Sequence, residues 1–205
     1  MKQYDFLDII PDQHRGNEIE AEAYVELADN NAAANFFETA KERLLNANKW
    51  HQVAGIISAS FQAVDKNGTE VNRIIEKGDY LRIDIPGPGS KEGDGYDWVM
   101  IEELKEISEG NIQSIGFRVR PTPNPLSDKK DIAHFYDDKS TSNFTVSREG
   151  KKVTASIVDH NIQPNDGTSS ITDKIRDTAV GMSAIVAFSK IQWKNLANGL
   201  MQIEK

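Results

Sequence analysis

The 205-residue chain contains no cysteine. That excludes disulfides, thiolate nucleophiles and cysteine-ligated zinc or iron–sulfur centres together. Basic residues are in deficit, with 24 Lys and Arg against 32 Asp and Glu and a net charge of -8. A nucleic-acid surface needs a basic stripe and an anionic membrane a polybasic patch, so neither partner is expected. The histidines, His14, His51, His134 and His160, fall in none of the HxH, HxxxH or HExxH spacings of metal sites. There is no GxSxG elbow for a nucleophilic serine. Neither metal nor cofactor is expected. No apolar run approaches the ~20 residues of a membrane span. The opening "MKQYDFLDIIPDQHRGN" lacks the apolar core of a secretory signal, so the expected location is the cytoplasm.

What remains is ordinary globular composition, 38% hydrophobic and 27% charged, in a chain long enough to bury a core without staples. Residues 1–17 read as an extended arm, since Pro11 and Gly16 prevent a long helix. Residues 18–205 read as a single α+β domain. In "EIEAEAYVELAD", Ile19, Ala21, Ala23, Val25 and Leu27 alternate with Glu20, Glu22, Tyr24 and Glu26, the period of a half-buried strand. Ala and Glu favour helix, but the alternation decides for strand. "NNAAANFFETAKERLLNANKW" is helical, with Asn30 or Asn31 as cap and Ala33, Phe37, Ala40 and Leu44 as its apolar stripe.

Six strands follow. "SASFQAV" ends in the turn "DKNG". "DYLRIDI" alternates Leu81, Ile83 and Ile85 with Tyr80, Arg82 and Asp84. "DWVMIEELKEI" is apolar on both faces at its start, because Trp98 and Met100 oppose Val99 and Ile101. "QSIGFRVRPT" sets Ile115, Phe117 and Val119 against Arg118 and Arg120. "STSNFTVSR" and "KVTASIVDH" flank "EGK" and form the clearest hairpin. From Ser170 the period becomes 3.6, with a stripe of Ile171, Ile175, Thr178, Met182, Ile185, Trp193, Leu196, Leu200 and Ile203. Ser169 or Ser170 caps it, and a break is expected near Phe188–Lys190. Gly181 lies among Ala179, Ser183, Ala184 and Ala187, where a close neighbour is expected.

Connections this short make the sheet antiparallel, and one long amphipathic helix is available to cover its apolar face. The order strand, helical segment, six strands, long closing helix resembles the helix-grip (START-like, or SRPBCC) superfamily over residues 18–203. The resemblance rests on element order; no signature motif accompanies it and no functional residue is carried over. It implies a curved seven-stranded antiparallel sheet wrapped around the C-terminal helix, with an internal cavity between them. Members mostly bind hydrophobic ligands, and some are cyclases or other enzymes. The competing architecture is a small β-barrel over residues 56–160 flanked by helices.

The expected function is a module binding a hydrophobic or amphipathic small molecule, in a cavity of at least a few hundred Å3, the order of ligand pockets. Its wall draws on Trp98, Met100, Phe117, His134, Phe144, Gly181, Met182 and Ile185. The rim is the long loop "PGPGSKEGDG", with Pro86, Gly87, Pro88, Gly89, Asp94 and Tyr96. That loop feeds a strand and not a helix N-terminus, so it is no phosphate cradle. Glu92, Asp94 and Asp97 do not match a calcium loop. Two competitors stand beside this reading. One is a cyclase- or hydrolase-type enzyme on the same scaffold, with His134 or His160 as acid or base. The other is a protein-interaction module with a filled core and no ligand, alone or as a homo-oligomer. "VDHN" places Asp159 and His160 at a strand end, where they cap backbone groups or reach a cavity mouth.

Overall fold

The computed structural model describes residues 5–55, 59–85, 90–165 and 179–203, with side chains in the last segment from residue 185. Strand β1 spans Asn17–Glu26. The alternation of Ile19 and Ala21 with Glu20 and Glu22 outweighs the helical propensity of Ala and Glu, because it buries one face of the strand. Helix α1 spans Asn30–Leu45 and buries Ala33, Phe37, Ala40, Leu44 and Leu45. Its cap is Asp29, one residue before the asparagines expected for that role; the Asp29 carboxylate accepts from Ala32 N–H at 2.8 Å. A 3-10 turn, Ala47–Lys49, leads into the short α2, Trp50–Val53.

Strands β2 (Ser60–Val64), β3 (Tyr80–Asp84), β4 (Asp97–Glu109), β5 (Ile112–Pro121), β6 (Thr141–Glu149) and β7 (Lys152–Ile162) follow. They form one antiparallel sheet in the order β1-β7-β6-β5-β4-β3-β2. The sheet is open, with β1 and β2 at its edges, so the alternative of a closed barrel does not hold. Helix α3, Ala179–Leu200, packs on β1 and β7. This is the helix-grip arrangement.

One face of the sheet is the inner one. Ala63, Leu81, Ile101, Ile115, Phe117, Phe144, Val146, Ala155 and Ile157 point there, against Phe37 and Leu44 of α1, Trp50 of α2, and Leu196 and Leu200 of α3. Each such large side chain contributes about 1.5–3 kcal/mol by leaving water. A register shift between Ile101 and Glu103 inserts a bulge in β4. Before it the odd positions Val99 and Ile101 face inward; after it Leu104 pairs with the inward Phe117.

The C-terminal helix departs from expectation in two places. It runs through Phe188, Ser189 and Lys190 without the break expected there, since none of these residues disrupts a helix. Ile203 lies past the helix end and is 51% exposed, so it does not extend the stripe. Ser169, Ser170, Ile171, Ile175 and Thr178 lie outside the described residues, as do the side chains of Gly181 and Met182. In the described part of the helix a neighbour closes in at Gly199, where a Cβ would stand 2.1 Å from the Val53 carbonyl oxygen.

The outer face carries the N-terminal arm. Leu7 and Ile9 are buried against Gly116 of β5, where a Cβ would meet the Ile9 side chain at 2.8 Å. Arg118 donates to the Ile9 carbonyl at 2.8 Å. It also shares Glu102 with Arg120 across β4 and β5, the cross-strand pairing that their alternation suggests. Burial works against the Glu102 charge, but Arg120 and Arg118 hold its carboxyl below the usual range. Among the described residues, no helix is long and apolar enough to cross a membrane.

Candidate binding site between the sheet and the C-terminal helix

A cavity opens where α3 meets the inner face near β7. Its walls include Phe61, Ile83, Val99, Val119 and Phe144 from the sheet, Phe135 and Tyr136 from the loop between β5 and β6, and Phe188 and Trp193 from α3. Its volume is about 50 Å3, against the few hundred Å3 expected. The reason is aromatic filling. Trp50 packs edge-on against Phe61 at 4.9 Å and lies 5.1 Å from Phe144. Phe144 stacks on Phe117 at 5.0 Å and meets Trp193 edge-on at 5.1 Å. These rings take the space that a larger ligand would occupy. What remains admits a few water-sized groups.

The wall is apolar apart from a cluster at one end. Asp159 continues the inward alternation of Val153, Ala155 and Ile157 on β7 and is 1% exposed. Its Oδ2 accepts from the Trp193 indole N–H at 2.7 Å. Its Oδ1 is buried with no hydrogen-bond partner among the described residues, and so is Gln192 Oε1 one residue before that tryptophan. Burial pushes the Asp159 carboxyl up to about 7, against the pull of Ser142, Trp193 and His160.

His134 closes another side. Its Nδ1 accepts from the Tyr136 backbone N–H at 2.9 Å, which puts the proton of the neutral ring on Nε2. Burial holds the ring neutral, its pKa lowered to about 3. Tyr136 O–H and Ser189 Oγ lie 3.4 Å apart. Burial, with the Asp159 charge, raises the Tyr136 phenol. No group of three or more His, Asp and Glu able to hold a metal occurs among the described residues.

The structure brings together only part of the sequence-expected wall. His134 and Phe144 line the cavity. Phe117 lies behind Phe144 in the core. Ile185 packs with Ile19, Tyr136 and Ile162 beside the cavity. Trp98 faces away from it and packs with Val64 and Ala133, and Met100, two residues along, shares that outer side of β4. Strand parity puts Val99 and Ile101 inward, so Trp98 and Met100 are excluded. Gly181 and Met182 have no described side-chain surroundings, and Pro86, Gly87, Pro88 and Gly89 lie outside the described residues. The rest of that loop does not touch the cavity. Asp94 accepts from Asn124 at 3.1 Å, and Tyr96 lies beneath the Arg82 guanidinium at 4.6 Å.

His160 is on the outer face. Its Nδ1 donates to the Pro11 carbonyl at 2.6 Å, and its Nε2 is 2.9 Å from the Glu18 carboxylate. It holds the N-terminal arm and stands apart from the cavity. Sequence reasoning overlooked Ser189 and Gln192. The signal was present: both fall at helical spacing on the stripe that includes Ile185, Trp193 and Leu196, polar residues on an apolar face.

No family model and no curated protein matches the chain. Solved structures do. A hypothetical protein from Helicobacter pylori is 13% identical over 90% of this chain and 88% of its own, with a TM-score of 0.47. A protein of Thermus thermophilus is 10% identical over 90% and 94%, with a TM-score of 0.45. A truncated norcoclaurine synthase from Thalictrum flavum is 10% identical over 95% and 100%, with a TM-score of 0.36. Likenesses this distant carry no statement about activity, and the fold stands on its own strand order.

Proposed function

We propose that the chain is a small-molecule-binding module whose site is the cavity between the inner sheet face and α3. The observation that carries this reading is a mostly apolar recess that nevertheless buries a carboxylate oxygen and an amide oxygen without partners among the described residues. An isolated buried acceptor costs about 1–3 kcal/mol. A sequence gains nothing by keeping two beside a void unless something fills it. The volume sets the scale of the bound part: a head group of a few heavy atoms, and not a whole lipid.

A second reading, an interaction module that binds no ligand, is favoured by the filling of most of the inner face with aromatic rings. One experiment separates the two. Native mass spectra are compared with denatured spectra, and the Trp193 indole N–H signal is followed by NMR during titration with a mixture of short alkyl amines, alcohols and acids. Ligand binding predicts an adduct that leaves on denaturation, or a shift of that signal. Either response is lost in Ala59→Phe, which fills the cavity from β2's approach. A protein with no adduct and an unmoved signal overturns the binding reading and leaves the interaction module.

A further inference from the structure

The chemistry of the cavity narrows what it accepts. Among the described residues that line it, Asp159 is the sole carboxylate and there is no Lys or Arg. His134 is neutral, so among the described residues no cationic side chain answers the Asp159 charge from within the cavity. Trp193 satisfies one carboxylate oxygen, and the Ser142 hydroxyl, also in the wall, favours the charged form. The two atoms without a partner among the described residues, Asp159 Oδ1 and Gln192 Oε1, are both acceptors, and they belong to residues 1% and 7% exposed. The same cavity is lined by the rings of Phe135, Tyr136, Phe144, Phe188 and Trp193. Aromatic faces attract cations. An anionic head group would meet a carboxylate with no compensating charge. An alcohol brings a single donor to two acceptors.

We propose that the ligand's head group is a protonated primary or secondary amine, its N–H groups accepted by Asp159 Oδ1 and Gln192 Oε1 and its charge faced by the surrounding rings. This rests on the cavity being a binding site. It goes beyond that reading by naming the chemical class. An ammonium supplies two or three N–H donors from one atom, the number the site lacks. It also supplies the positive charge that a desolvated carboxylate requires.

The test uses the intact chain near pH 8, where alkylamines remain charged. Three probes of matched length are titrated separately: butylamine, butanol and butyrate. The readout is the Trp193 indole N–H signal, assigned by its loss in Trp193→Phe, because that proton sits on the other oxygen of Asp159. Butylamine is expected to bind at least about tenfold more tightly than butanol or butyrate, the scale of a hydrogen bond to a charged group. Asp159→Asn, nearly isosteric, abolishes the preference, and Gln192→Leu weakens it several-fold. Butanol or butyrate binding as well as the amine overturns the amine assignment and leaves the site standing. So does a preference that survives in Asp159→Asn. If none of the three moves the signal, both the assignment and the binding reading fall.

Discussion

The two faces of the sheet bury polar groups in opposite ways. On the outer face, Asn161 holds the N-terminal arm through a nearly complete set of bonds. Its Oδ1 accepts from the backbone N–H of His14 at 2.8 Å and of Arg15 at 3.2 Å. Its Nδ2 donates to the Asp12 carbonyl at 3.0 Å, and its own N–H donates to Gln13 Oε1 at 2.7 Å. Arg15 adds an ion pair with Asp137 at 2.5 Å. On the inner face, Asp159 and Gln192 each leave an oxygen without a described partner beside a void. Asn46, Asp97 and Asn143 also leave an Oδ1 without a described partner, but none of the three lines the cavity. Satisfied buried polarity marks a joint that folding completes by itself. Unsatisfied buried charge beside space marks a joint completed from outside.

The contrast can be broken most forcefully at the aromatic filling. Trp50 is fully buried and touches Phe61, Phe117 and Phe144. Trp50→Ala should cost about 3–5 kcal/mol, read as a lower urea midpoint. It should also enlarge the inner void, so apolar probes should bind the variant better than the parent. A loss under about 1 kcal/mol would mean that the rings do not set the cavity's size.

The outer face gives the next effect. Asn161 sits at φ 57, a left-handed conformation that asparagine tolerates better than most side chains. Asn161→Ala removes the side-chain bonds to the arm and keeps a strained backbone, for a loss of about 2 kcal/mol. Hydrogen exchange at the His14 and Arg15 amides should accelerate in step. Unchanged exchange there would show that the arm is held by Leu7 and Ile9 alone.

How much of this was legible beforehand differs between the faces in a physical way. Alternation alone identified β1 and put Val153, Ala155 and Ile157 on one side of β7. Followed two residues further, it puts Asp159 on that same side and His160 on the other. Helical spacing alone put Leu196 and Leu200 on the core side of α3. Cavity size was not legible, because it depends on how Trp50 and Trp193 meet Phe144 across elements far apart in sequence. Nor was the β4 bulge, which reverses the parity between Ile101 and Leu104 and has no distinctive residue to announce it. The Asp29 cap was missed because the next two residues are also good caps.

Asp159→Asn turns the comparison into a sign. The folded-state pKa of Asp159 is raised to about 7 from an ordinary carboxyl value of 3.8. The native state therefore holds a proton that the unfolded state has released. Its contribution to stability is fully present below about pH 4, falls across the interval to about pH 7, and is gone above it. Asp97, also raised to about 7 by burial, adds a fall of the same sign. His134, lowered to about 3, adds a rise over about pH 3 to 6.5. The difference between Asp159→Asn and the parent cancels both. That difference should favour the variant increasingly from pH 4 to 7 and reach about 1 kcal/mol above it, measured by urea unfolding across the range. Removing a polar group from the outer joint destabilises; removing this charge from the inner one stabilises. A variant less stable than the parent at neutral pH would place Asp159 with the satisfied groups.

The smallest effect belongs to the outer surface. Glu102 is shared by Arg118 at 2.9 Å and Arg120 at 3.1 Å, all three partly exposed. Because Glu102's folded pKa is lowered, its contribution is present above the ordinary carboxyl value and is lost as pH falls through the depressed one. Glu102→Gln should cost under about 1 kcal/mol at neutral pH. High salt should shrink the difference, since exposed charges are screened, whereas the Asp159 difference, buried and dry, should barely respond. Equal salt sensitivity at the two carboxylates would mean that water reaches Asp159, and the distinction between the faces would lose its physical basis.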